Sequence, residues 1–376
     1  MLVKHLMNET RRGFGLTLMV NHACNLRCSY CYTGAKFSSA MPTEIGIASI
    51  DRAFASLGHG AQLDLSFFGG EPLIESVRIL DWMAYGRKQA QAGGKVVRFN
   101  LTTNGTVAHH EAWQVMMTDD LDLALSFDGT PEIHNRHRRD AQGRGSSAAV
   151  ERTLRQLIES GRSVRVNMVV RPDTLDQLPD GLKHLQNLGV RHVDLSLDLW
   201  TMWTAGDGHR LEKAIEQAAQ LWRGWLPEFG LNWFDAKVGH LTTLPRTHED
   251  TRCGFGDGEI AIAPSGRLYP CERLIGEDRP DHPLRLPGHA LEGKDFLGFM
   301  AAPSKNCKAC SGCLLNAACD TVCRCSNFIR TGNVDRPDGL LCILNKATAR
   351  AVSEVFDPDR QTHATQNNSQ PQVCYG

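Results

Sequence analysis

The stretch GLTLMVNHACNLRCSYCY, residues 15–32, decides the fold class and the chemistry of this chain. Its first seven residues are rich in large apolar side chains, as a buried strand is, and Cys24, Cys28 and Cys31 follow at the spacing C-x3-C-x2-C. Three such thiolates can bind three irons of a [4Fe–4S] cube and leave the fourth iron without a protein ligand. Because an electron-transfer cluster normally has four cysteines, the triplet predicts a cluster with one iron open to a ligand. A zinc knuckle or three unrelated buried thiols are the alternatives.

The composition is that of a globular protein without a bulk charge for nucleic acid. The chain has 376 residues, 41% hydrophobic and 22% charged, which suits two domains or one large domain with an appendage. Its 41 Lys and Arg residues nearly balance its 42 Asp and Glu residues, so no net field attracts nucleic acid or an anionic membrane. The cationic residues 134–139 lack interleaved aromatic side chains, and a nucleic-acid patch is therefore not predicted there.

The thirteen cysteines predict metal binding in a reducing compartment. No apolar run approaches the roughly 20 residues of a membrane span, and the N-terminal stretch lacks a signal-peptide core. We therefore expect a cytoplasmic protein, in which a disulfide framework is uncommon. Three cysteines lie in residues 24–31, none in 32–252 and ten after that, which predicts two metal-binding regions separated by a cysteine-free scaffold.

Short apolar runs alternate with longer amphipathic stretches between residues 15 and 200. Large apolar and β-branched residues predict strands buried on both faces over residues 15–21, 63–69, 96–103, 121–127, 164–170 and 192–200. Helices are predicted over residues 43–57, 75–92, 146–160, 176–188 and 207–228. Six strand-then-helix units favour an α/β fold, namely a partial parallel (β/α)6 barrel of the TIM type.

The sequence changes in character near residue 250, where Gly, Pro and Cys become frequent and periodic segments few. Such a composition is typical of a small domain organised by bound metal more than by apolar burial. The final stretch HATQNNSQPQVCYG is polar. We therefore predict a barrel domain over 1–230, a small Cys-rich iron–sulfur cluster domain over 231–350 and a flexible tail over 351–376.

Glycines and short polar residues stand where the predicted strands end, which in a parallel barrel is the active-site edge. The second strand ends in Gly69-Gly70-Glu71-Pro72, where glycines let a ligand approach the backbone and the acid can accept from an ammonium group. The third strand ends in residues 102–105, TTNG, and the fourth in residues 126–129, SFDG, whose side chains suit ribose hydroxyls. A simple turn or a turn cap is the alternative at each end.

With Tyr30 before the last cysteine, the first motif reads C-x3-C-x-aromatic-C, and the chain resembles the radical S-adenosylmethionine (SAM) family. In that family the open iron chelates the methionine part of SAM, and the motif after the second strand binds its amino group. The SFDG stretch followed by His134 and Arg138 also resembles the family, with Asn135 where Asp is common. The resemblance implies which residues contact SAM. Among them, Ser126 and Asp128 would contact its ribose. The implied contacts are Tyr30, Gly69, Gly70, Glu71, Pro72, Thr103, Asn104, Ser126, Asp128 and Arg138.

The C-terminal cysteines follow a second pattern, C-x12-G-x4-C and later C-x2-C-x5-C-x3-C with one more cysteine beyond. All seven match the SPASM extension, named for peptide- and sulfatase-maturing members of the family, and an unrelated zinc domain is the alternative. The resemblance implies two auxiliary [4Fe–4S] clusters, hence three in all. The outer auxiliary cluster would have Cys310, Cys313, Cys319 and Cys342, and the inner one Cys253, Cys271 and Cys323.

The inner cluster lacks a fourth ligand in this pattern. Cys307 and Cys325 lie outside the pattern and are candidates, as are His248 and Asp250. An iron open to a substrate thiolate is the remaining alternative.

Two further residues near these cysteines have candidate roles. Glu272 follows Cys271 where sulfatase-maturing relatives typically have an Asp that accepts a proton, so the resemblance implies a catalytic proton acceptor. A surface acid on a loop is the alternative reading of Glu272. Cys374, in the tail, is expected to be an incidental exposed thiol.

The resemblance, over about residues 14–345, implies a radical enzyme. An electron delivered to the first cluster cleaves SAM to methionine and a 5′-deoxyadenosyl radical, which abstracts hydrogen from a C–H bond. The implied substrate is a side chain of a ribosomally made peptide, modified by oxidation or by a thioether, carbon–carbon or carbon–oxygen cross-link. The implied partners are that peptide or protein and an electron donor such as flavodoxin or ferredoxin. Because only 23 residues precede Cys24, too few for a winged-helix recognition domain, leader binding would come from a separate leader-peptide-binding protein or from the barrel itself.

Three other functions stay open on the sequence. The first is an anaerobic sulfatase-maturating enzyme, which oxidises Cys or Ser to formylglycine. The second is a radical SAM dehydrogenase or epimerase for a small molecule, although such enzymes usually have a shorter cluster domain. The third is a non-enzymatic iron–sulfur carrier, against which the missing fourth cysteine and the intact GGEP motif argue.

Overall fold

A computed structural model describes residues 11–242, 254–297 and 323–356, together with residues 310, 312, 313, 315 and 319. The chain forms two compact units, each assembled from segments that are far apart in sequence. The first unit comprises Met1–Ser126, Arg138–Val164 and Gly254–Ala302. The second comprises Phe127–His137, Arg165–Cys253 and Pro303–Gly376. The domain divisions expected at residues 230 and 350 stay predictions.

Strands and helices alternate along the first two thirds of the chain. The strands are β1 (Arg11–Asn21), β2 (Leu57–Gly69), β3 (Val96–Thr103), β4 (Leu121–Ser126), β5 (Arg165–Val170), β6 (His192–Leu197), β7 (Gly230–Leu231), β8 (Glu259–Ile262), β9 (Arg267–Tyr269) and β10 (Leu286–His289). The helices are α1 (Thr43–Ala55), α2 (Ser76–Ala92), α3 (His110–Met116), α4 (Pro131–His137), α5 (Ser147–Glu159), α6 (Leu178–Asn187), α7 (Ala205–Trp225), α8 (Asn232–Thr242), α9 (Arg324–Thr331) and α10 (Gly339–Phe356). None of the helices in these described ranges combines the length and the apolar character needed to cross a bilayer.

The sheets are mostly parallel. In the first unit the strand order is β10-β9-β8-β1-β2-β3-β4. The pairs β8–β1, β1–β2, β2–β3 and β3–β4 are parallel, whereas β8–β9 and β9–β10 are antiparallel. In the second unit β5, β6 and β7 pair in parallel. Parallel strands joined through helices confirm the predicted α/β class.

Several strands, β2 and β5 among them, bury one face completely and the other only in part. In β2, Leu63, Leu65 and Phe67 are buried, whereas the alternate residues Asp64 and Ser66 are half-buried. The strand β5 alternates in the same way. The expectation that the strands are buried on both faces was therefore wrong for β2 and β5, because side chains such as Asp64 keep contact with solvent on one face. It is confirmed for residues 16–21 of β1 and 123–126 of β4, which are buried throughout.

A cavity of about 370 Å³ lies against this polar face of the first unit, with Thr17, Asp64, Ser66 and Glu259 in its lining. Gly15 of β1 keeps the cavity clear, since a Cβ atom there would lie 3.1 Å from the Cγ atom of Glu259. The first unit therefore has a polar surface on one face of its sheet, beside the buried apolar side chains of the same strands.

The five predicted helices are present, with ends that differ from the expected ones by up to three residues. The elements after residue 250 were not expected. Gly266, with φ of +83°, closes a hairpin between β8 and β9, in which the N–H of Ala263 donates to the carbonyl oxygen of Arg267 at 3.0 Å. The 18-residue helix α10 packs on α7 and α8 in the second unit. The expectation of few periodic segments in this part of the chain was therefore wrong for α10.

Candidate functional site

The loop that follows β1 carries the three cysteines of the first motif. The thiols of Cys24, Cys28 and Cys31 are all half-buried. The N–H of Cys31 donates to the carbonyl oxygen of Cys28 at 3.1 Å, so these two cysteines lie on one tight turn. The N–H of Leu26 donates to the Sγ atom of Cys24 at 3.4 Å, which fixes the first thiol against its own backbone.

A segment that follows α4 along the chain holds the middle of this loop. Leu26 forms an isolated antiparallel bridge with Asp140. The guanidinium carbon of Arg138 lies 5.3 Å from the centroid of the Tyr30 ring, within the range of a cation–π contact. Because Arg138 is only 7% exposed, its charge is directed into the first unit, toward the cysteine loop.

The two glycines at the end of β2 touch the end of β1 so closely that no other residue fits. The φ angle of Gly69 is +152°, and a Cβ atom there would lie 2.5 Å from the carbonyl oxygen of Asn21. A Cβ atom at Gly70 would lie 2.2 Å from the carbonyl oxygen of Ala23. Beside Gly69, the side-chain Oδ1 atom of Asn21 is buried and has no hydrogen-bond partner in the described residues. This oxygen could accept a hydrogen bond from a ligand. The sequence analysis did not identify Asn21.

The carboxylate of Glu71 is fully buried and joins the ends of β2 and β3. One oxygen accepts from the hydroxyl of Thr103 at 2.7 Å and from the N–H of Leu73 at 3.0 Å, and the other accepts from the N–H of Asn104 at 2.7 Å. Burial raises the pKa of Glu71 to about 6, although these hydrogen bonds act in the opposite direction. Pro72 is buried and begins a short 3-10 helix after it.

The side chain of Asn104 connects this network to the first cysteine. Its Nδ2 atom lies 3.8 Å from the Sγ atom of Cys24 and donates to the Oδ1 atom of Asn25 at 2.9 Å. Its Oδ1 atom accepts from the N–H and the hydroxyl of Thr106 at 2.9 and 2.7 Å. The orientation of the amide is therefore fixed, with its donor toward the thiol.

The residues after β4 fall in different units. Ser126, the last residue of β4, is buried in the first unit. Asp128 belongs to the second unit, where its Oδ1 atom accepts from the N–H of Val169 at 3.0 Å. The N–H of Asp128 donates to the Nδ1 atom of the buried His134 at 3.3 Å. Ser126 and Asp128, the two residues expected at the ribose of SAM, therefore belong to different units. Their contact with the ribose stays a prediction.

The segment around Cys271 lies near the end of the cysteine loop. The buried Cys271 thiol donates to the Oε2 atom of Glu272 at 3.4 Å. Burial and the nearby carboxylate of Glu272 raise the pKa of Tyr32 well above its ordinary value, and the Tyr32 ring stacks on Phe68 at 6.0 Å. Sequence reasoning missed Tyr32, because an aromatic residue after a cysteine is not distinctive.

Lys36 is a second residue that sequence reasoning missed. Its Nζ atom lies 3.0 Å from the Sγ atom of Cys31. Burial alone would raise the pKa of Cys31, but the charge of Lys36 and the hydrogen bonds from Lys36 and Thr33 outweigh burial and lower it. At Cys24, burial dominates and raises the pKa of the thiol. A lysine five residues after a cysteine carries no recognisable signal in the sequence.

The second unit brings together cysteines of the C-terminal pattern. The N–H of Cys313 donates to the carbonyl oxygen of Cys310 at 3.1 Å. Burial, with the neighbouring thiols of Cys319 and Cys313, raises the pKa of Cys342 to about 11. Cys342 on α10 therefore lies within electrostatic reach of two thiols that precede it by more than twenty residues in the sequence.

Cys323 and Cys325 lie together at the start of α9. Their Sγ atoms are 3.4 Å apart, and the hydroxyl of Ser326 donates to the Sγ atom of Cys323 at 3.2 Å. Cys325 is buried. Five residues named as candidates lie outside the described residues, namely His248, Asp250, Cys253, Cys307 and Cys374.

Within the described ranges, no three His, Cys, Asp or Glu side chains converge on a point where one metal ion would sit. The thiolates of a [4Fe–4S] cube each bind a different iron and do not need to converge on one point. The half-buried Cys24, Cys28 and Cys31, with donors on two of their sulfurs, are suited to such a cube.

Comparison with known proteins identifies the family. Residues 18–185 match the model of the radical SAM superfamily. A cysteine-type anaerobic sulfatase-maturating enzyme of Clostridium perfringens is 31% identical over 283 residues, which cover 69% of this chain and 75% of that protein. The chain belongs to the radical SAM superfamily. Membership confirms the resemblance to the radical SAM maturases, the prediction of an enzyme, and SAM with a [4Fe–4S] cluster as its cofactors.

Two further similarities extend over most of this radical SAM chain. The radical SAM cyclopropyl synthase TigE of Paramaledivibacter caminithermalis is 22% identical over 365 residues, which cover 90% of this chain and 74% of that protein. The solved structure of anSMEcpe with bound AdoMet and Cp18Cys peptide matches with a TM-score of 0.70 at 16% identity, over 93% of this chain and 99% of that one. The structural match confirms the predicted fold class, a partial parallel α/β barrel followed by a cysteine-rich region.

Proposed function

We propose that this chain is a radical SAM peptide maturase, which modifies a side chain of a ribosomally made peptide by oxidation or by a thioether, carbon–carbon or carbon–oxygen cross-link. The observation that carries the proposal is the buried network of Glu71, Thr103 and Asn104, which reaches the Sγ atom of Cys24. It fastens the cysteine loop to the ends of β2 and β3 within the first unit. A peptide substrate is supported by the similar structure of anSMEcpe, which holds the Cp18Cys peptide.

Cys24, Cys28 and Cys31 are the residues that would bind the first cluster, and several features of the first unit fit SAM beside it. The Oδ1 atom of Asn21, which has no partner among the described residues, would accept from an ammonium group, and we propose Gly70 as a neighbouring contact. The further SAM contacts that we propose are Tyr30, Gly69, Glu71, Pro72, Thr103, Asn104, Ser126, Asp128 and Arg138.

When bound, the cluster and SAM supply a 5′-deoxyadenosyl radical, which removes hydrogen from an unactivated C–H bond. The chain positions this chemistry. Glu71 holds the backbone of Asn104 and the hydroxyl of Thr103 in place, so the ends of β2 and β3 present a preorganised surface. Glu272 is the proposed proton acceptor during substrate oxidation.

We further propose two auxiliary [4Fe–4S] clusters. Cys310, Cys313, Cys319 and Cys342 would bind the outer one, which is supported by the electrostatic contact of Cys342 with Cys319 and Cys313. The assignment of Cys253, Cys271 and Cys323 to the inner one rests on their spacing. We propose Cys325 as its fourth ligand, because it is a cysteine outside the pattern whose Sγ atom lies near that of Cys323, at 3.4 Å.

The remaining parts of the proposal concern partners and organisation. We propose an electron donor such as flavodoxin or ferredoxin, a separate leader-peptide-binding protein and a cytoplasmic location. The domain limits 1–230, 231–350 and 351–376 belong to the same proposal. The SPASM pattern of the C-terminal cysteines supports the limits of the middle domain.

Anaerobic sulfatase maturation is the second candidate function, and two observations favour it. One relative with that activity is 31% identical to this chain. In addition, the carboxylate of Glu272 contacts the thiol of Cys271, which is a proposed cluster ligand. The two functions differ in product. Incubation with a Cys- or Ser-containing sulfatase peptide yields formylglycine only under the second, whereas a cross-linked product from a precursor peptide of another kind supports the first.

The proposed function is tested by anaerobic reconstitution. Intact protein should hold about twelve irons per chain and release 5′-deoxyadenosine from SAM after reduction. Replacement of Cys24, Cys28 and Cys31 by Ala should remove about four irons and abolish that release. A triple variant that still makes 5′-deoxyadenosine contradicts the proposal.

A further inference from the structure

The ammonium group of Lys36 is directed at one sulfur of the first motif. Its Nζ atom is 3.0 Å from the Sγ atom of Cys31, and it also donates to the hydroxyl of Thr33, which lies 3.3 Å from the same sulfur. We propose that Lys36 is a positioning residue that raises the reduction potential of the cluster bound by Cys24, Cys28 and Cys31. This inference rests on the proposed function, in which those cysteines bind the cluster.

The loop that carries Lys36 is held in place by its own contacts. The N–H of Ala35 donates to the Oε1 atom of Glu277 at 3.1 Å. Gly34 has φ of +71°, a left-handed conformation that favours glycine, and the side chain of Glu277 lies against it, 2.6 Å from the position of a Cβ atom. The backbone that precedes Lys36 is therefore held by contacts with Glu277, and the contact with Cys31 does not depend on the side chain of Lys36 alone.

The described contacts of the Cys24 sulfur are with neutral donors. The Sγ atom of Cys24 receives the N–H of Leu26 at 3.4 Å and faces the amide Nδ2 atom of Asn104 at 3.8 Å. Compared with Cys24, Cys31 thus has the shorter contact and the one with a positively charged group. Removal of Lys36 should therefore change the charge felt at the sulfur of Cys31.

The charge of Lys36 acts on the reduced form more strongly than on the oxidised form, because reduction adds one negative charge to the cluster. Hydrogen bonds to cysteine sulfurs and nearby charges are known determinants of iron–sulfur potentials. Lys36 is half-buried, so solvent screens part of its charge but not all of it. With Lys36 present, a donor of less negative potential is sufficient to reduce the cluster.

The test is a redox titration of reconstituted Lys36→Met protein, followed by electron paramagnetic resonance. The relevant signal is the one that disappears in the Cys24→Ala, Cys28→Ala and Cys31→Ala triple variant. We expect unchanged iron content and about a tenfold lower ratio of reduced to oxidised cluster at a fixed ambient potential. For a one-electron couple this corresponds to a midpoint lower by about 59 mV.

Three further variants make the result specific. Lys36→Arg should restore most of the potential, and Lys36→Gln, which keeps a donor without the charge, should give an intermediate value. Lys88→Met removes an exposed lysine of α2 and should leave the potential unchanged. An unchanged midpoint in Lys36→Met overturns the inference. If Lys36→Met loses iron, an unchanged midpoint in Lys36→Gln overturns it instead. Neither result affects the proposed function, which depends on the triple cysteine variant.

Discussion

The hydroxyl of Thr103 lies 2.7 Å from the carboxylate of Glu71, and this hydrogen bond joins the ends of β3 and β2 inside the first unit. The same carboxylate accepts the N–H of Asn104, whose side chain in turn faces the sulfur of Cys24. An acid expected to meet SAM thus also supports the loop of the cysteines. Its substitution should therefore affect both stability and SAM binding.

We expect Glu71→Gln to lower the free energy of unfolding by about 1–3 kcal/mol, because one buried N–H or hydroxyl donor loses its acceptor when a carboxylate oxygen becomes an amide NH2. Affinity for SAM should fall, and iron content should stay the same. Chemical unfolding and equilibrium SAM binding measure the two effects. Glu75→Gln is the matched control, since Glu75 pairs with Arg78 near the surface and should contribute at most about 1 kcal/mol. Loss of iron along with SAM binding would show that the role of Glu71 is structural.

The pKa of Glu71 makes stability depend on pH. Burial raises this pKa from 4.5 to about 6, so the native protein keeps the proton in a range where the unfolded chain has lost it. The resulting stabilisation is present below pH 4.5 and is lost as the pH rises through about 6, by about 2 kcal/mol in all. Unfolding titrations of the wild type and Glu71→Gln between pH 4.5 and 7 measure it. Parallel curves for the two proteins would contradict the assignment.

The close approach of Gly70 to Ala23 gives a prediction about the backbone. Gly70→Ala places a Cβ atom 2.2 Å from the Ala23 carbonyl oxygen, which must move together with the start of the cysteine loop. We expect a loss of about 1–3 kcal/mol of stability and a reduced iron content of the first cluster. Gly224→Ala in α7 is the control, because no heavy atom outside its helix lies within 4 Å of the added Cβ atom. That variant should be unchanged or more stable by up to about 1 kcal/mol.

The contact between Cys323 and Cys325 predicts which residue completes the inner auxiliary cluster. Cys325→Ala should remove or alter that cluster and lower the iron content by up to about four per chain. Cys307→Ala and Cys374→Ala are the controls and should keep full iron. Iron analysis and spectra recorded with and without an added thiol check the outcome. If Cys325→Ala leaves the cluster intact and an added thiol shifts its spectrum, the iron is open and the assignment is wrong.

Much of the fold was predictable because its signals are local. The apolar runs of β2 and β3 stand out from the polar segments around them, and the motif cysteines follow the end of β1 directly. The strand β8 was not predictable. Its four residues pair with β1, which is distant in the sequence, and such non-local pairing leaves no pattern within a short stretch of sequence.

The residues of the candidate site also divide into those that local sequence patterns predict and those that they do not. Cysteine spacing and GGEP are sequence patterns, so their residues could be named in advance. The contacts of Lys36, Tyr32 and Asn21 arise only when the chain folds around the loop, since none of these residue types is distinctive at its position. Asp64 and Ser66, which form the polar face of β2, lie in a stretch that the sequence analysis predicted to be buried on both faces.

The pairing of β1 with β8 has a consequence for how the protein is made. The N–H of Gly15 donates to the carbonyl oxygen of Gly258 at 2.8 Å, and β1 has β2 on its other side. While the ribosome is still synthesising the middle of the chain, β1 is an edge strand with unpaired backbone groups, which is a template for aggregation. The strand that leads into the cysteine loop therefore gains its second neighbour late, and iron insertion before that point would act on an incomplete scaffold. A chain truncated before Gly254 should be prone to aggregate even though every cysteine of the first motif is present.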